Sequence, residues 1–145
     1  MIIKVEDYDY RHFNNYEIQE RKRGNQGTKS RNKYLNYICA FDIETTNDPE
    51  IEQAYMYIWQ FQIEDCTIYG RTWQQFLDFL GKIERSLDPG DYLVIFVHNL
   101  SYEFQFLSGI YEFEPHEVFA VDSRKVLKCE MFDHFEFRCS YLQTN

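Results

Sequence analysis

No run of 18 apolar residues occurs in the 145-residue sequence, which excludes a membrane-spanning helix of ordinary length. A secretory leader is not expected at its start, because Met1-Ile2-Ile3-Lys4-Val5-Glu6-Asp7 turns acidic too early. Cys39, Cys66, Cys129 and Cys139 form no Cys-x-x-Cys pair and stand beside no histidine cluster. That spacing argues against zinc and for reduced thiols in a reducing, cytosolic compartment. Internal repeats are absent. Positive charge is scarce too: 15 Lys and Arg against 24 Asp and Glu leave a net charge of −9. Affinity for nucleic acid from bulk electrostatics is therefore not expected.

The charge is unevenly spread. Residues 1–35 hold 8 basic and 5 acidic side chains, and the remainder holds 7 and 19. Arg21 to Lys33 carries six basic residues and no acid, a solvated linker or a contact for phosphate or a neighbouring domain. An acidic domain can still bind DNA if part of its charge holds metal ions. The chain has the length of one domain with one core. Aromatic residues make up 19% of it, enough for an aromatic core and for rings that stack on bases. The organisation expected is a polar, partly basic N-terminal extension over 1–35 followed by one domain over 36–145.

Along that domain, a strand is expected at about 35–44. Ala54 to Ile63 and Cys66 to Gly70 read as a hairpin turning at Glu64-Asp65. Thr72 caps a helix carrying Phe76, Leu77, Leu80, Ile83 and Leu87, ended by Asp88-Pro89-Gly90-Asp91. Tyr92 to Val97 reads as a strand buried on both faces, and Leu100 to Ile110 as a helix with Phe104 and Leu107 inward. Strands follow at 117–121, 126–131 and 135–141, the first two joined by a turn at 122–125. The order predicts an α/β domain with a mixed sheet and helices packed on it.

The chemistry-bearing feature is Asp42-Ile43-Glu44 at the end of the first strand of this domain, before the turn formers Thr45 to Pro49. Period-2 alternation puts both carboxylates on one side of the backbone. They repel unless a cation lies between them. Hard divalent ions take such oxygens, and two ions about 3.5–4 Å apart can clamp the attacking and leaving oxygens of a phosphodiester. His98-Asn99-Leu100-Ser101-Tyr102-Glu103 lies where a buried strand meets a helix, the place where ligands collect in open α/β sheets. If the two strands are parallel neighbours, Asp42, Glu44 and Glu103 converge.

Phe41-Asp42-Ile43-Glu44-Thr45-Thr46 resembles the first exonuclease motif, Asp-x-Glu, of family B DNA polymerases, especially the protein-primed, phi29-like phage enzymes. His98-Asn99-Leu100-Ser101-Tyr102-Glu103 is similar to their second motif, His-Asn-Leu-x-Phe/Tyr-Asp. The separation of about 55 residues and the strand–strand–helix–strand order between the motifs also match. The resemblance covers roughly residues 36–142. It implies an RNase H-like (DnaQ-type) 3′–5′ proofreading exonuclease domain, a mixed sheet flanked by helices, at the front of a polymerase. Asp42, Glu44 and Glu103 would be catalytic and would hold two Mg²⁺ or Mn²⁺ ions. Thr45, His98, Asn99 and Tyr102 would hold a single-stranded DNA 3′ end. The remainder of the polymerase and a priming terminal protein would be partners, in the cytoplasm of a bacterial host.

The chain departs from that pattern. Glu103 stands where the family has Asp, and the family's third motif, Tyr-x-x-x-Asp, has no match after the last strand. Polymerase motifs are lacking. The expectation is therefore an N-terminal piece of a polymerase, impaired as a nuclease by itself. The alternative is a catalytically inactive RNase H-like module used for protein binding. Structural readings also stand for single residues: His98 as a strand-end histidine, Asn99 as a helix cap, Tyr102 as core, and Glu103 as a first-turn acid favoured by the helix dipole.

Overall fold

Side-chain alternation along residues 33–46 organises the molecule. In the computed structural model, which describes residues 1–20, 32–46, 50, 54–122 and 124–140, the elements run β1 (Ile2–Lys4), β2 (Lys33–Thr46), β3 (Tyr55–Ile63), β4 (Cys66–Gly70), α1 (Trp73–Glu84), β5 (Asp91–Val97), α2 (Leu100–Ile110), β6 (Val118–Asp122), β7 (Lys125–Met131) and β8 (Phe135–Cys139). One-turn 3₁₀ segments lie at Val5–Asp7, Arg11–Phe13 and Pro115–Glu117. Most of the basic run Arg21–Lys33 lies outside the described residues, as do Asn47, Asp48 and Pro49 of the expected turn, Ser123, and the chain from Tyr141 onward.

All eight strands form one sheet in the order β1-β4-β3-β2-β5-β8-β7-β6. β2 pairs antiparallel with β3 and parallel with β5, and β5 pairs parallel with β8. The chain is thus α/β with a mixed sheet. Leu35, Cys39, Phe41 and Ile43 of β2 are buried, whereas Ile38, Ala40, Asp42 and Glu44 between and beyond them are exposed. The buried face lies under the helices. Phe41 stacks at 4.7 Å on Phe76 of α1 and meets Phe137 of β8 at 5.9 Å. α2 packs on β7 and β8, and its Phe106 lies 6.4 Å from Trp73 of α1. Both described helices therefore cover the same face, leaving the Asp42 face without a helix among the described residues.

The capping box at Thr72 is present. Thr72 Oγ1 accepts from the Gln75 amide, and the Gln75 side chain accepts from the Thr72 amide. α1 ends at Glu84, a turn before the expected stop. The Ser86 and Leu87 amides bond to the carbonyls of Ile83 and Glu84, which tightens the exit while Leu87 stays buried. Gly90, at φ +85°, returns the chain into β5.

The first twenty residues differ from the polar extension expected. β1 adds to the sheet edge parallel to β4, and Val5, Tyr8 and Phe13 enter the core. β3 and β4 form the expected hairpin, Ile63 opposite Cys66, with Glu64 at φ 52°.

Trp59 is fully buried between α1 and the sheet, and its indole Nε1 donates to the Thr72 carbonyl at 2.9 Å. Gly70 is its cross-strand partner. A Cβ on Gly70 would stand 2.5 Å from the Trp59 ring. Gly70→Ala should therefore cost about 1–3 kcal/mol by overpacking, against about 1 kcal/mol for loss of the cap in Thr72→Ala. Urea denaturation of the two variants checks the order, and an unchanged midpoint for Gly70→Ala would contradict the packing described.

Candidate active site

β2 and β5 run side by side in the same direction, with Ala40 opposite Phe96. Their carboxyl ends therefore lie together. Asp42 and Glu44 are exposed at the end of β2, on one side of the sheet, with Ile43 buried between them on the other. His98 directly follows β5 and is exposed. Asp42 and His98 share a groove of about 450 Å³ with Ala40, Gln60, Gln62 and Phe96.

The register of β2 on β3 shifts between Glu44 and Thr45: Glu44 faces Ile58, but Thr45 faces Met56. Tyr57 is the extra residue of this bulge. The bulge lets Met56 and Trp59, of opposite parity, both face the core. Thr45 lies in the partly buried layer on the helix side, and its hydroxyl meets Tyr102 Oη of α2 at 2.7 Å. Two residues 57 positions apart in sequence are thereby joined at the strand end. Tyr102 is not core. It is 36% exposed, with its ring 5.5 Å from Phe106.

α2 begins immediately beyond β5, with Asn99 at its N-cap position. The Asn99 side chain makes no capping bond, and it is exposed. The first turn is closed instead by backbone, the Tyr102 and Glu103 amides reaching the Asn99 carbonyl. Glu103 is not an ordinary exposed first-turn acid. It is 6% exposed, and Oε2 is buried with no hydrogen-bond partner among the described residues. Burial pushes its pKa up to about 7, its own backbone N–H pulls down, and the Asp42 carboxylate pushes up. The Asp42 carboxylate thus acts on Glu103 across the strand end.

The three carboxylates are not gathered into one ligand shell. Among the described residues, the three His, Cys, Asp or Glu side chains whose ligand atoms lie within 4.8 Å of one another are elsewhere, at His12, Asp65 and Cys66. Gln60 and Gln62 were missed as groove residues in the sequence reading. Their signal was present in two amides at period 2 within an aromatic strand, and Gln60 is the cross-strand partner of Asp42.

Hard oxygen donors with an orphaned buried carboxylate oxygen suit Mg²⁺ or Mn²⁺, and Asp42, Glu44 and Glu103 are the residues that would hold such ions. Compared with known proteins, the chain matches no protein-family model, no curated protein and no solved structure. No helix among the described residues is long and apolar enough to cross a membrane.

The Glu103 shift sets a pH dependence. Its folded pKa of about 7 lies above the ordinary 4.5. Between these values the folded chain keeps a proton that the unfolded chain has released, so stability falls as pH rises. In EDTA, the urea midpoint of the wild type should drop between about pH 5 and 8, and Glu103→Gln should flatten that part of the profile. Parallel profiles for the two proteins would show that Glu103 is not held protonated.

Proposed function

We propose that this chain is an RNase H-like 3′–5′ exonuclease domain of the protein-primed, phage-type DNA polymerases. It would hydrolyse 3′-terminal phosphodiesters of single-stranded DNA with two Mg²⁺ or Mn²⁺ ions. The observation that carries the reading is the buried, unpartnered Glu103 Oε2 in the first turn of α2, which starts where the parallel strands β2 and β5 end together. A carboxylate oxygen that is buried, unbonded and repelled by a second carboxylate is costly unless a proton or a cation satisfies it. The resemblance of the two motifs supplies the chemistry.

On this reading Asp42, Glu44 and Glu103 hold the ions. When bound, these would activate water and neutralise charge developing on the phosphodiester. The Tyr102 ring offers a stacking face. Thr45, bonded to Tyr102, fixes that ring's hydroxyl end. Asn99, whose side chain makes no capping bond, has its amide available to a sugar or phosphate. His98 stands beside Asp42 at the groove, placed to contact the same strand end. With a net charge of −9, the chain has little of the bulk positive charge that usually supplies affinity for DNA. It also lacks the third motif, so activity of this chain alone is expected to be slow.

A second reading, a non-catalytic RNase H-like module that binds protein, is favoured by one observation. The three carboxylates are not drawn together into a ligand shell.

Removal of a 3′ label from single-stranded DNA in Mn²⁺ tests both. The wild type should release label slowly, and Asp42→Ala/Glu44→Ala should lose about 10²–10³-fold, the scale of removing an electrostatic stabiliser. Glu103→Asp, which shortens the side chain by one methylene, should raise the rate by up to about 10²-fold. No Mn²⁺-dependent release from any of them, with no Mn²⁺-dependent rise in melting temperature of the wild type, would leave the binding module as the reading.

A further inference from the structure

A second set of ligands, of different chemistry, gathers where the N-terminal segment crosses the β3–β4 hairpin. His12, Asp65 and Cys66 each present a ligand atom, all within 4.8 Å of one another. Cys66 is fully buried, Asp65 is exposed and His12 is half-buried. A cationic group already lies among them. Arg11 Nη2 donates to Cys66 Sγ at 3.1 Å and stands 3.9 Å from Asp65 Oδ1. Behind the imidazole, Tyr8 Oη lies 2.6 Å from His12 Nδ1. In the tautomer where Nδ1–H donates to that hydroxyl, Nε2 carries the free lone pair, the outer-shell arrangement that orients metal-binding histidines.

We propose that His12, Asp65 and Cys66 form a binding site for one Zn²⁺ ion, which takes the place of the Arg11 guanidinium. One thiol, one imidazole and one carboxylate make a borderline ligand set that suits Zn²⁺, whereas Mg²⁺ and Mn²⁺ want oxygen alone. Tetrahedral Zn²⁺ with bonds of about 2.0–2.3 Å sets its ligands about 3.4–3.7 Å apart. Cys66 Sγ already donates to Asp65 Oδ1 at 3.8 Å, so closing the cluster from 4.8 Å asks for about an ångström of movement between His12 and that pair, within reach of rotamer changes at the half-buried His12 and the exposed Asp65. The side chains of Arg11 and Asp65 are 47% and 79% exposed, which gives the ion an entry path and leaves its fourth position to water. On binding, the Cys66 thiol proton passes to solvent and the sulfur lone pair forms the bond. The ion would tie residue 12 to the 65–66 turn, fastening the edge strand β1 and the segment after it. This site is independent of the strand-end carboxylates. Asp65 lies in the turn beyond Ile63 and Cys66 opens β4, opposite Ile63, while Glu44 faces Ile58 of β3.

Titration of the full chain with Co²⁺ as a spectroscopic stand-in, and with Zn²⁺ in thermal melts, tests the proposal. One equivalent of Co²⁺ should produce a thiolate-to-cobalt charge-transfer band, which Zn²⁺ then displaces, and Zn²⁺ should raise the melting temperature. His12→Ala and Asp65→Asn should weaken binding tenfold or more, and Arg11→Ala should tighten it by removing the competing cation. Asp42→Ala/Glu44→Ala should leave the band unchanged. Because Cys66 is buried, Cys66→Ser is read only if its circular dichroism matches the wild type, and it should then lack the band. A saturating titration without the band overturns the proposal, as do affinities unchanged in both His12→Ala and Asp65→Asn.

Discussion

The pairing of β2 with a neighbour on each side is the constraint from which the other features follow. A strand fixed on both edges cannot slip by one residue without moving every side chain to the opposite face. Here such a slip would push Asp42 and Glu44 under the helices and Phe41 and Ile43 into water. The aromatic contacts of Phe41 with Phe76 and Phe137 oppose that slip. Burial of the odd-numbered positions thereby holds two repelling carboxylates on the solvent face. The parallel partner β5 then brings its own carboxyl end alongside, and α2 starts there, so Glu103 arrives at the same place. Site and core are two faces of one register.

Most of the strand and helix pattern was legible in the sequence because it was periodic. β5 reads as a near-continuous apolar run and is buried on both faces except at Phe96, which is half-buried. The α1 residues Phe76, Leu80 and Ile83 recur at helical spacing and are buried. The N-terminal segment was not legible. Val5, Tyr8 and Phe13 follow neither a period of 2 nor of 3.6, and β1 is three residues long. Their burial is decided by the β4 edge and by Phe79, which lies 6.0 Å from Tyr8, and both are remote in sequence. The juxtaposition of His12 with Asp65 and Cys66 was illegible for the same reason, because these residues meet only after the edge strand docks.

At the candidate active site the residue types were legible and their environments were not. A first-turn glutamate looks like a response to the helix dipole. Its burial depends on how α2 meets the sheet, and only the fold reveals the orphaned oxygen. Asn99 shows the reverse: the sequence offers a cap, but the backbone closes the turn and the amide is left out. The bulge at Glu44/Thr45 had no signature either. It is forced by the need to bury both Met56 and Trp59, and one consequence is the seating of Thr45 against Tyr102.

The two ligand sets differ in how firmly each is held before any ion arrives. At the β3–β4 hairpin a guanidinium already neutralises the cluster, so a metal there must displace a bound cation and gains only the difference. At the strand end Glu103 meets its cost by keeping a proton to about pH 7. A divalent ion there would compete with that proton, and its hold on Glu103 would strengthen as pH rises. Affinity orders alone would let Zn²⁺ outbid Mg²⁺ at either place. What separates the sites is donor type, since sulfur and nitrogen at the hairpin reward a borderline ion in a way that carboxylate oxygens do not. The acidic net charge would draw cations to both, and local chemistry would then sort them.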